Sequence, residues 1–89
     1  MSFHLLPIAI EVDGARVEIF EVMKYELPSG DVIYRVTCRI IWRGIKTRVF
    51  SLDAKDMDDF RKGVEIEIAK MKMMYLIGGR ELVEEVVSR

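Results

Sequence analysis

The sequence predicts an α+β domain: a four-stranded antiparallel β-sheet of two hairpins, a long C-terminal helix packing on one sheet face, and a short terminal helix. Three observations predict it. Apolar and polar residues alternate between Ile8 and Phe50, the period of half-buried strands. Asp13-Gly14 and Arg43-Gly44 punctuate that alternation where tight turns belong. Beyond Phe50 the apolar spacing changes to three and four, the period of a helix, until Gly78-Gly79 stops it. Strands followed by helix, with no linker between them, make a single domain over residues 1–89, with the sheet at 8–50, the long helix at 54–77 and a terminal segment at 80–89.

The elements follow in order. Met1 to Pro7 is a short lead, with His4 read as a solvated side chain and Pro7 as the mark of an edge strand or a strand start. Ile8, Ile10 and Val12 share one face of the first strand. Asp13-Gly14 supplies the positive φ angles of a type I′ turn, and the second strand runs from Ala15 to about Leu27. Val17, Ile19, Met23, Tyr25 and Leu27 are assigned to its apolar side; Glu21 interrupts the pattern and marks a bulge or a partly exposed position. A Pro28-Ser29-Gly30-Asp31 loop pairs Leu27 with Val32, Tyr25 with Tyr34 and Met23 with Val36. Arg43-Gly44 then pairs Trp42 with Ile45, Ile40 with Thr47, Arg39 with Arg48 and Cys38 with Val49. Asp53 is the expected helix N-cap, with Asp56 three residues on.

The helix carries two apolar stripes. Met57, Phe60, Val64, Ile68, Met71 and Tyr75 form the one that covers the sheet. Ile66, Ala69, Met73 and Ile77 form a second on another side, which a single small sheet cannot cover. A helix apolar on two sides needs a second partner, so this stripe is expected to build a homodimer, unless the terminal segment folds back over it. Met71, Met73 and Met74 sit mid-helix and read as packing material, not as a metal site.

The sheet face away from the helix is the candidate for function. By these registers it collects Arg16, Phe20, Lys24, Arg35, Thr37, Arg39, Lys46, Arg48 and Phe50. Single-strand binders combine cations for phosphates with aromatic platforms on which bases stack. The expected partner is therefore single-stranded DNA or RNA. A net charge of −1 supplies no global basic field, so binding must come from this local patch. Arg39 opposite Arg48 is unfavourable for folding, which suggests a use for the charge. The plainer reading is a solvated face with Glu11, Glu18 and Glu26 pairing the cations.

Four antiparallel strands, a basic outer face and a dimerising helix resemble the single-stranded-DNA-binding domain of the transcriptional coactivator positive cofactor four and the related Whirly proteins. The chain is also similar to the archaeal single-strand binders called ThermoDBP and their shorter relatives. The likeness lies in Ala15 to Ile77, especially the run TRVFSLDAKDMDDFRKGVE, where a basic strand ends in a hydrophobic-Ser-Leu-Asp helix start. The resemblance implies that Arg35, Arg39, Lys46 and Arg48 contact phosphates and that Phe20 and Phe50 stack bases. The acids on the same face, and the lack of the coactivator's Lys-rich tail, depart from the pattern.

Other classes find little in the residues. One cysteine allows no internal disulfide and fits a reducing, cytoplasmic setting; Cys38 lies on the apolar face as a small buried hydrophobe. The first residues lack a charged n-region and a cleavage pattern, so no signal peptide is read, and no apolar run of ~18 residues predicts a membrane span. Asp58-Asp59 and Glu84-Glu85 are adjacent on helices and face apart, so they make no catalytic dyad. With one His and no phosphate loop, no enzyme, cofactor or metal is expected. Interspersed charges rich in Glu, Lys and Arg resemble thermophile composition. The remaining alternative is a protein-interaction or scaffold subunit that binds no nucleic acid.

Overall fold

The structure is a computed structural model that describes residues 2–88, with side chains described over 7–88. The architecture is α+β: an antiparallel sheet with one long C-terminal helix laid on a single face. The strands are β1 (Ser2–Val12), β2 (Ala15–Glu26), β3 (Val32–Trp42), β4 (Ile45–Lys46) and β5 (Phe50–Ala54), followed by α1 (Met57–Val87). β1, β2 and β3 lie side by side, and β4 and β5 both pair with β3 along the other edge. The expected fourth strand is thus broken in two, and the sheet starts earlier and ends later than the alternation implied. The reading of His4 concerns a side chain outside those described.

Both predicted turns form. Asp13 and Gly14 have φ of 48° and 78°, and Arg43 and Gly44 have φ of 51° and 76°, the paired positive values of a type I′ turn. Val12, Ala15, Val17, Ile19, Val36, Cys38, Ile40, Trp42 and Ile45 are buried on the helix side of the sheet. Phe60, Val64, Ile68 and Met71 of α1 meet them, as the first stripe requires.

Two one-residue slips change which residues share a face. Between Ile19↔Cys38 and Glu21↔Thr37 an extra residue, Phe20, enters β2. Beyond this bulge Val22 pairs with Val36 and Lys24 with Tyr34, so Met23 and Tyr25 turn to the outer face and Lys24 to the helix side. Val22 packs against the core in place of Met23. The second slip separates β4 from β5. Ile41↔Lys46 and Cys38↔Phe50 leave Thr47, Arg48 and Val49 opposite two residues of β3. The Thr47 hydroxyl accepts from the Ile40 amide at 3.0 Å, and the Thr47 amide donates to the Ile40 carbonyl at 2.9 Å, so the ladder survives the extra residue. Arg39 does not face Arg48, and Phe50 points to the helix side against the core.

The helix boundaries also move. Ser51, Leu52 and Asp53 continue the sheet opposite Thr37, Val36 and Arg35 and do not open the helix. Asp56 is the N-cap: its Oδ1 accepts from the Asp59 amide at 2.8 Å, while Asp59 Oδ2 accepts from the Lys55 amide at 2.9 Å. Ala54 is buried and Leu52 partly so, which explains why this segment stays in the sheet. At the other end the helical element does not stop at Ile77, and the terminal residues form a second arm of it, set off by a break at Gly79 and not detached as a separate helix. The element runs on to Val87 through a kink at Gly79, whose φ of 70° and ψ of −165° are open to glycine alone. The arm after the kink returns along β4, burying Val83, with the Arg48 amide donating to the Val87 carbonyl at 2.7 Å and the Ser88 hydroxyl to the Lys46 carbonyl at 2.8 Å.

Candidate nucleic-acid interface

The expected site residues fall into three groups. Arg16, Phe20, Arg35, Thr37, Arg39 and Lys46 lie on the outer face. Lys24 and Phe50 lie on the opposite side, because each follows a bulge. Arg48 sits in the second bulge and lines the space beside α1.

Carboxylates occupy much of the outer face. Arg35 Nε and Nη2 donate to the two Asp53 oxygens at 2.8 and 3.2 Å, a bidentate fork. Arg39 Nε donates to Glu18 Oε1 at 2.6 Å, and Arg16 stands 3.7 Å from the same carboxylate. Thr37 and Ser51 share a hydroxyl–hydroxyl hydrogen bond at 3.2 Å. The Arg39 hydrogen bond holds the Glu18 carboxyl below the usual carboxylate range, and Arg35 does the same for Asp53. By register, Arg16, Arg35, Arg39 and Lys46 share the face with Glu11, Glu18, Glu21 and Asp53, so cations and anions balance. Each inner arginine also covers a ring: Arg35 lies 5.2 Å from the Tyr25 centroid and Arg39 5.6 Å from that of Phe20.

A cleft opens between the β4–β5 edge and α1. Its volume is about 550 Å³, and Phe50, Leu52, Met71, Met74 and Val87 form its apolar wall. Thr47, Arg48, Ser51 and Lys70 supply polar and cationic groups at its margin, with Glu67 as the nearby acid, 3.4 Å from Lys70. Two expected site residues, Arg48 and Phe50, therefore meet here and not on the outer face. The sequence held a signal for this: Phe50, Leu52 and Ala54 alternate as apolar residues, which continues a strand with Phe50 inward.

The expected dimer stripe is open. Ile66, Met73 and Ile77 are 57, 63 and 76% exposed, and neighbouring Leu76 is 86% exposed. Ala69 is exposed between them. The arm after Gly79 folds back on β4 instead and leaves this stripe uncovered.

Cys38 is buried, and burial pushes its thiol up to about 12, which leaves it protonated and inert as a nucleophile. Among the described residues no helix is long and apolar enough to cross a membrane, and no three His, Cys, Asp or Glu side chains cluster as metal ligands do. No protein-family model, characterised protein or solved structure matches the chain.

Proposed function

We propose that this chain is a homodimeric single-stranded nucleic-acid-binding protein that uses the β4–β5 edge and its cleft more than the outer sheet face. The observation that carries the reading is the bulge at Thr47–Val49, which brings Arg48 beside Phe50 and Lys70 at an open apolar cleft. A base entering the cleft stacks on the Phe50 ring or on the thioethers, and its phosphates lie along Arg48 and Lys70. Aromatic stacking contributes ~1–3 kcal/mol per base. On the outer face Arg35 and Arg39 engage carboxylates at 2.8 and 2.6 Å, closer than the 3.4 Å at which Lys70 meets Glu67 beside the cleft, so a phosphate there must displace tighter internal partners.

The test is fluorescence anisotropy with a labelled single-stranded oligonucleotide at low salt. Phe50→Ala is expected to weaken binding by roughly 5- to 100-fold, following the stacking energy, whereas Arg35→Ala changes little. Affinity falls as salt rises, because bound phosphates release counterions. No binding by the folded wild type at tens of micromolar would sink the reading.

A second reading is a protein-interaction subunit without nucleic-acid binding. It is favoured by the charge-balanced outer face together with the uncovered stripe of α1. Light scattering separates the partners: a dimer of twice the 10.4 kDa chain means self-association, and a monomer means that the stripe serves another protein.

A further inference from the structure

We propose that Arg43 and Arg80, at the β3–β4 turn, form a binding site for a phosphate group. Arg43 occupies the first position of the type I′ turn, and its side chain folds back into a corner between two rings. Its guanidinium carbon lies 5.1 Å from the Trp42 centroid and 5.2 Å from that of Tyr75. The rings stand edge to face, 5.3 Å apart at 84°. Arg80 arrives from just beyond the helix kink, and its Nη1 donates to the Arg43 carbonyl at 2.8 Å. Gly44 is required by its φ of 76°, and Arg80 Nη2 lies at an ordinary 3.6 Å from where a Cβ would stand.

The chemistry differs from that of the outer face. Arg35 and Arg39 are held by rings and by carboxylates together. Arg43 is held by rings, and among the described residues no carboxylate pairs with it. Aromatic faces attract a guanidinium but accept none of its in-plane N–H bonds. Arg43 is exposed, so those donors remain accessible to a ligand while the guanidinium rests against its two rings. Arg80 adds a second guanidinium at the same turn, with its Nε paired to Glu84 at 2.6 Å, so Arg43 is the carboxylate-free cation of the two. Planar forks match the oxygens of a phosphate in pairs, which favours this ligand over a spherical anion. Lys46, two residues beyond Gly44, adds a cation near the same end of the sheet. The site adds to the single-strand reading without requiring it.

Trp42 is the chain's lone tryptophan and touches Arg43, so its emission reports the site directly. The full chain is titrated separately with inorganic phosphate and with a ten-nucleotide oligothymidylate, as wild type, Arg43→Gln and Arg80→Gln. Circular dichroism melts verify that each variant is folded. A saturable change in Trp42 emission is expected in the wild type, lost in Arg43→Gln and weakened roughly tenfold in Arg80→Gln. Saturation by phosphate alone assigns the site to free phosphate groups; saturation by the oligonucleotide alone assigns it to a phosphodiester backbone. No saturable response to either, or an undiminished response in Arg43→Gln, overturns the proposal. Anisotropy separates this from the single-strand reading. A phosphate response without oligonucleotide binding leaves the site and removes that reading, while equal oligonucleotide binding by wild type and Arg43→Gln with a silent Trp42 does the reverse.

Discussion

Glu18 is the residue on which the chemistry of the outer face turns. One carboxylate, itself partly buried, receives Arg39 at 2.6 Å and stands 3.7 Å from Arg16. It sits across β2 and β3 from Arg39 in register, so the pair needs little side-chain reorganisation to form. Asp53 plays the same part for Arg35 on the other side of β3. Both carboxyls are shifted downward by the arginine hydrogen bond, so their folded values lie below their unfolded ones. Their stabilising contribution is present above the ordinary carboxylate range and is lost as pH falls through the depressed folded values. The melting temperature is therefore expected to fall as pH drops from about 5 towards 2. A Glu18→Gln, Asp53→Asn variant should show a shallower decline in the same scan; an identical slope would remove these pairs from the account.

At the scale of elements, α1 is shaped by where its glycines fall. Gly63 lies in the first arm at helical φ, and a Cβ there would meet only Leu52 Cδ1 at an ordinary 3.5 Å. Gly79 has open space around it but a backbone that L side chains rarely adopt. The two sites should answer the same substitution with opposite signs. Gly63→Ala is expected to raise stability by ~0.5–1 kcal/mol through helix propensity. Gly79→Ala is expected to lower it by ~1–3 kcal/mol through backbone strain. Urea unfolding of both variants measures the pair. The kink matters beyond α1, because the arm after it covers β4, carries Arg80 to the Arg43 turn, and supplies Val86 and Val87 to the cleft.

At the scale of the molecule, the sheet disposes of one side of α1 and leaves the other in water. Ile66, Met73, Leu76 and Ile77 together make an apolar stripe that a lone small domain seldom keeps exposed. The proposed homodimer would cover it, since an isologous interface places the same stripe of two copies face to face about a two-fold axis. Ile66→Asp combined with Met73→Asp is expected to give folded monomers by light scattering, with an unchanged circular dichroism spectrum. These side chains are exposed in the single chain, so charge there costs little folding energy. A variant that stays dimeric would place the interface elsewhere.

Local pattern alone determined the α+β class, both type I′ turns and most of the core. Val17, Ile19, Cys38, Ile40 and Trp42 on the strands, and Phe60, Val64, Ile68 and Met71 on the helix, follow from periods of two and of three to four. Such periods are properties of neighbouring residues, so they are written in the chain. The bulges at Phe20 and at Thr47–Val49 were decided by the tertiary structure. Glu21 broke the alternation and hinted at the first, and the adjacent apolar pair Val49-Phe50 marks a change of face at the second without placing the extra residue. There the choice belongs to α1, against which Phe50, Leu52 and Ala54 pack; their own alternation continues a strand with Phe50 inward, but it does not say where the extra residue enters. Because side chains alternate along a strand, one inserted residue reverses every face that follows. That reversal took Lys24 and Phe50 off the expected surface and put Arg48 beside Phe50 at the cleft, so which cations act together was settled only by the packing of helix on sheet.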